Sequence, residues 1–181
     1  MTETRSEIDI HLCEYETCKV EQMARIAFRD NLVYATLAAY GAISAFAVKD
    51  NHLALLILPW VSIVLGWGYL VNDEKVSALG RYMRVDLTDR IAALIKVGDP
   101  KDLFRWEIVH RSDPARFRRK VAQLAIDLIT FVLSGFVAIA AFWLIDPGAR
   151  CLLKSAALVE AFLLVLLGIE FFVYADLKSG R

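Results

Sequence analysis

Three carboxylates stand in stretches that otherwise read as hydrocarbon: Asp127 in LAIDLIT, Glu160 in ALVEAFL and Glu170 in GIEFF. A charge surrounded by apolar side chains costs several kcal/mol, about 2.5–3.5 or more in a bilayer, so such residues face protein or water. Glu160 and Glu170 are ten positions apart, about 15 Å along a helix and roughly 80° around it, which puts both on one broad face. Asp127, Thr130, Ser134, Ala138 and Ala141 form a second small or polar stripe at helical spacing. Two chemistries fit two facing stripes. The carboxylates hydrogen-bond across the bundle or stay protonated, with Glu170 in reach of a cation such as Arg118, Arg119, Lys120 or Lys178, or they line an ion path, where rings of Asp or Glu favour cations.

The elements that must hold these residues are legible from hydropathy. The chain has 181 residues, 57% of them hydrophobic, with a mean hydropathy of +0.47 and 23% charged residues. The apolar residues concentrate in four blocks at 32–48, 53–71, 121–145 and 152–175. Each is near the roughly 17–25 residues that a helix needs to cross a hydrocarbon core. The reading is an all-α integral membrane protein with four transmembrane helices arranged as two hairpins. Its divisions are an amphipathic N-terminal helix (1–31), hairpin 1 (32–71), a helical cytoplasmic segment (72–120), hairpin 2 (121–175) and a tail (176–181).

Lys and Arg set the orientation. Eighteen fall in 1–31, 72–120 and 176–181, against Lys49, Arg150 and Lys154 elsewhere. By the positive-inside rule both termini and the central segment are cytoplasmic, in a bacterial inner membrane. The zero formal net charge points to no specific nucleic acid, and no cleaved signal is expected at the N-terminus. Pro59 is a candidate kink in the second span. Ile8, Leu12, Tyr15, Val20, Met23 and Ile26 make an apolar stripe in the N-terminal helix, and Val76, Leu79, Met83, Leu87, Ile91 and Leu94 make another, so the two are natural partners.

Other chemistry finds little support. Cys13, Cys18 and Cys151 and the histidines His11, His52 and His110 are scattered, so neither a disulfide framework nor a metal site is expected, and no cofactor is. No phosphate-binding glycine loop, nucleophile elbow, HExxH or CxxC is present, so the expectation is a protein that is not an enzyme. Arg105 and His110 in RWEIVH have the R-x4-H spacing of HEPN ribonucleases.

The stretches EQMARIAFRDNLVYATLAAYGAI, LGWGYLVNDEKVSALGRYMR and RWEIVHRSDPARFRRKVAQLAIDLITFVL resemble a largely uncharacterised family of small multi-span integral membrane proteins from high-GC bacteria. More loosely, the short hairpins with cytoplasmic helices are similar to SLATT-type effectors of bacterial conflict systems, which implies a membrane pore opened by a cytoplasmic signal. The combined expectation is an oligomeric ion channel or pore-forming effector in the lipid bilayer, with Asp127, Thr130, Ser134, Glu160 and Glu170 on its polar path. The alternative is a non-conducting anchor or scaffold that docks a cytoplasmic protein. A membrane-tethered ribonuclease using Arg105 and His110 is a third class.

Overall fold

A computed structural model describes residues 2–49, 51–96, 99, 100, 103, 104 and 115–175. Among them every regular element is helical and no strand occurs. Four helices are long and apolar enough to cross a membrane: α1 (Thr2–Lys49), α2 (His52–Ile95), α3 (Arg116–Ile145) and α4 (Cys151–Tyr174).

The N-terminal helix and the first apolar block are one element. No proline interrupts α1, so its 48 residues run on for about 72 Å, more than twice a hydrocarbon core. The second helix opens with a tight turn at His52–Leu56, capped where the Asn51 side chain accepts a hydrogen bond from the Leu53 N–H at 2.9 Å. Pro59 therefore falls in the first turn of the segment Ile57–Tyr82, where a missing N–H costs no helical hydrogen bond.

Helices α1 and α2 run antiparallel, pinned along their length. Tyr40 and Ser62 share a 2.6 Å hydrogen bond, Arg29 donates to Asp73 at 2.7 Å, and Gln22 donates to the Val76 carbonyl at 3.2 Å. Farther out the Tyr82 hydroxyl donates to Glu14. The outer portions of α1 and α2 thus form a stalk beyond the four-helix bundle. Met83, Leu87 and Ile91 are buried there against Tyr15, Cys18, Leu79 and Tyr82, and Tyr15 stacks on Phe104 with ring centroids 4.1 Å apart. The α1 side of this core is Tyr15 and Cys18, while Val20 and Met23 are exposed on another face. The polar bonds of Gln22, Arg25 and Arg29 to α2 fix the rotation of α1, and a helix presents only one face to one neighbour.

The bundle core is Tyr69, Leu70, Leu124, Phe131, Leu167 and Phe171, with Phe131 and Phe171 stacked at 5.8 Å. Two glycines let the helices seat closely. A methyl group at Gly66 would lie 2.9 Å from Leu167 Cδ2 and 3.0 Å from Phe131 Cβ, and one at Gly135 would lie 2.7 Å from Leu164 Cδ1. At the far end His52 and Asp146 approach to 3.3 Å, tying together the α1–α2 and α3–α4 connections.

Candidate functional site

Asp127 projects from α3 into the junction between stalk and bundle and is 7% exposed. Gln123 lies one turn earlier on the same face, and its amide nitrogen donates to Asp127 Oδ1 at 2.9 Å and to the Tyr69 hydroxyl at 2.5 Å. The Arg29 guanidinium from α1 sits 5.7 Å from the centre of the Tyr69 ring while holding Asp73 on α2. Three helices therefore supply one network. Beside it lies a partly open pocket of about 20 Å³, lined by Tyr69, Asp73, Lys120, Gln123 and Asp127 together with Leu70, Leu124 and the end of α4. That is room for a single water with several polar partners.

The local fold explains the convergence. Immediately after Asp127, residues Leu128–Leu133 form a wider turn in which the Ser134 N–H bonds to the Ile129 carbonyl, five residues back. Such turns are rare and shift the helical phase, and they recur at functional sites. Inward positions along α3 are consequently Leu124, Asp127, Phe131, Gly135, Ala138 and Phe142. Thr130 and Ser134 stand at the flank, where the Ser134 hydroxyl donates to the Thr130 carbonyl at 2.5 Å.

Glu160 is the second buried carboxylate, 2% exposed on α4. Its neighbours at one turn in each direction, Ala157 and Leu164, are also buried, and the Trp60 side chain on α2 is its hydrogen-bonding neighbour. Among the described residues Oε2 of Glu160 has no hydrogen-bond partner. Phe131, Leu164 and Leu167 fill the interior with apolar volume on the Asp127 side of this residue.

Glu170 is partly exposed. The inner face of α4 beside it is Leu167, Gly168 and Phe171, and Glu170 is not among the residues that line the Asp127 cavity. Asp127 and Glu160 thus come inside, Thr130 and Ser134 stand at the flank of α3, and Glu170 is partly exposed. Arg105 and His110 lie outside the described residues. Tyr69, Gln123, Arg29 and Asp73 were absent from the sequence-derived set. The one available signal was Gln123, four residues before Asp127 on the same helical face.

In the stalk, Glu14 accepts from Tyr82 and stands 3.3 Å from His11. The Tyr82 hydrogen bond, and then that of His11, hold the Glu14 carboxyl below its ordinary range. The same bond raises the Tyr82 phenol. Among the described residues no group of three His, Cys, Asp or Glu is placed to hold a metal ion.

No protein-family model, curated protein or solved structure matches the chain.

Proposed function

We propose that the protein spans a bacterial inner membrane four times as two hairpins, with both termini and residues 72–120 in the cytoplasm. In this reading it is an oligomeric ion channel or pore-forming effector that the stalk opens. Insertion is supported by the broad apolar exterior of the bundle, where Val137, Leu144, Leu158, Phe162, Ile169 and Phe172 are all exposed. The orientation rests on the eighteen-to-three distribution of Lys and Arg.

The observation that carries the opening mechanism is the continuity from Arg29 through Asp73 and Tyr69 to Gln123 and Asp127. A bend of the stalk against the bundle moves Arg29, and Arg29 is coupled to the buried carboxylate. Phe131 and its leucine neighbours close the protomer, so opening requires that layer to part or the protomers to reassemble around Asp127, Thr130, Ser134, Glu160 and Glu170. Hydrophobic constrictions of this kind gate by excluding water.

Ion flux from liposomes tests the reading. The protein is compared with an Asp127→Asn, Glu160→Gln, Glu170→Gln variant and with Arg29→Gln. Altered cation preference in the triple variant and altered opening in Arg29→Gln are expected; equal flux in all three would remove the carboxylates from the path. Membrane-impermeant maleimide applied to intact spheroplasts is expected to label Cys151 and spare Cys13, which is the topology check.

A second reading, a cytoplasmic docking scaffold, is favoured by exposed Ile10, Val20, Met23 and Phe28 on the stalk, where lipid cannot cover them. It expects no flux from any variant, and loss of a cytoplasmic partner on Val20→Asp or Met23→Asp. Leu87 is buried in the stalk core, so Leu87→Asp would break the stalk rather than test docking.

A further inference from the structure

The sequence ARFRRK puts six residues in a row at the start of α3 that hydropathy treats as one basic turn, yet the fold separates them. Lys120 turns inward to the Asp127 cavity. Arg118 points the other way: at 100° per residue it lies about 180° from Asp127 and within about 40° of Ala122, Ala125 and Ile129. Those three residues are exposed, so they mark the outward face of α3, and Arg118 is exposed at the top of it. Phe117 beside it is 61% exposed.

Depth agrees with direction. The residues from Arg118 to the end of α3 at Ile145 span about 40 Å at the helical rise, while hydrocarbon takes about 30 Å and the headgroup layers extend this to about 40–45 Å. Arg118 therefore falls among the headgroups. Among the described residues no carboxylate pairs with Arg118: the ion pairs of the stalk and junction use Arg25, Arg29 and Arg90.

We propose that Arg118 is a binding site for the phosphate of an anionic lipid headgroup in the cytoplasmic leaflet. The inference rests on the membrane reading above. A guanidinium presents a planar fork that matches phosphate oxygens in a bidentate manner. An unpaired guanidinium also selects for net negative charge. The phosphate of phosphatidylcholine is already balanced by its own choline, whereas that of phosphatidylglycerol is not.

The test uses the full chain reconstituted in vesicles of equal phosphatidylglycerol and phosphatidylcholine, extracted in mild detergent and weighed by native mass spectrometry. The wild type is expected to retain phosphatidylglycerol over phosphatidylcholine by about fivefold, the effect of one basic residue near a surface. Arg118→Gln is expected to bring the ratio to about one, and Arg118→Lys to keep part of the preference as a point charge. A wild-type ratio near one, or an unchanged ratio in Arg118→Gln, overturns the proposal. Displacement of the lipid by inorganic phosphate at equal concentration makes free phosphate the ligand and overturns the lipid assignment. Flotation with pure phosphatidylcholine vesicles after an alkaline wash separates the two levels: a chain that fails to float refutes the membrane reading itself, and a variant that floats as the wild type does is folded and inserted.

Discussion

Asp127 and Glu160 are both buried carboxylates in one small bundle, and their surroundings differ in kind. Around Asp127, an amide, a phenol, a lysine and an arginine-held aspartate converge from several elements. Around Glu160, the hydrogen-bonding neighbour is Trp60, and among the described residues one oxygen has no partner. A buried charged group is tolerable when donors satisfy it and costly when they do not. The difference teaches that Asp127 is part of how the helices meet, whereas packing alone gives no reason for Glu160 to be acidic.

The comparison depends on the apolar layer between the two, and Phe131→Ala attacks it most directly. Phe131 is fully buried and contacts both Tyr69 and Phe171. Its truncation is expected to destabilise the bundle by about 3–5 kcal/mol, read by denaturant unfolding in detergent. In liposomes the same variant is expected to leak if that layer is the closed gate.

The carboxylates themselves give the next effect. Asp127→Ala leaves the Gln123 amide, and the Tyr69 hydroxyl that also hydrogen-bonds Asp127, short of an acceptor, and is expected to cost about 1–3 kcal/mol by the same unfolding measurement. Glu160→Leu removes a buried carboxyl with one unpartnered oxygen and gives up only the Trp60 hydrogen bond, whose half-exposed indole can turn to other partners, and is expected to be neutral or stabilising. Equal losses for the two variants would dissolve the contrast; a stable Glu160→Leu protein with altered flux would sharpen it.

The smallest effect is in the stalk, which offers an exposed counterpart to both sites. The Glu14 carboxyl is lowered, so its contribution is fully present above the ordinary carboxylate value and is lost as pH falls through its depressed one. The Tyr82 phenol is raised, so on the alkaline side the contact is lost as pH rises through that raised value. Spin labels at Ile10→Cys and Val85→Cys, with native cysteines replaced by serine, are expected to keep one separation across the neutral range and to spread at both extremes. Glu14→Gln is expected to abolish the acid-side change.

Much of this architecture could be read without coordinates. The length and apolarity of the four helices follow from composition along the chain, because a span needs only enough consecutive apolar residues. The position of Asp127 inside the bundle also followed from its stripe, as did that of Ala138. Thr130 and Ser134 moved to the flank because the wider turn at Leu128–Leu133 shifts the phase that a constant helical period assumes. Val20 and Met23 moved outward because polar bonds, which an apolar count does not weigh, set the rotation of α1.

Glu170 gives the plainest contrast with Glu160. Both stand in the same apolar block, and from sequence they are equivalent candidates. Which one is sealed inside was decided by how α4 rotates to fit Leu164 against Gly135 and Leu167 against Gly66, a matter of steric contact between distant residues. By itself the sequence determined four long apolar helices, a skewed distribution of positive charge and three carboxylates in apolar surroundings. Only the tertiary structure decided which carboxylate met several donors and which kept one oxygen unpartnered among the described residues, because hydropathy is a local sum while a hydrogen bond between helices depends on where each helix turns its face.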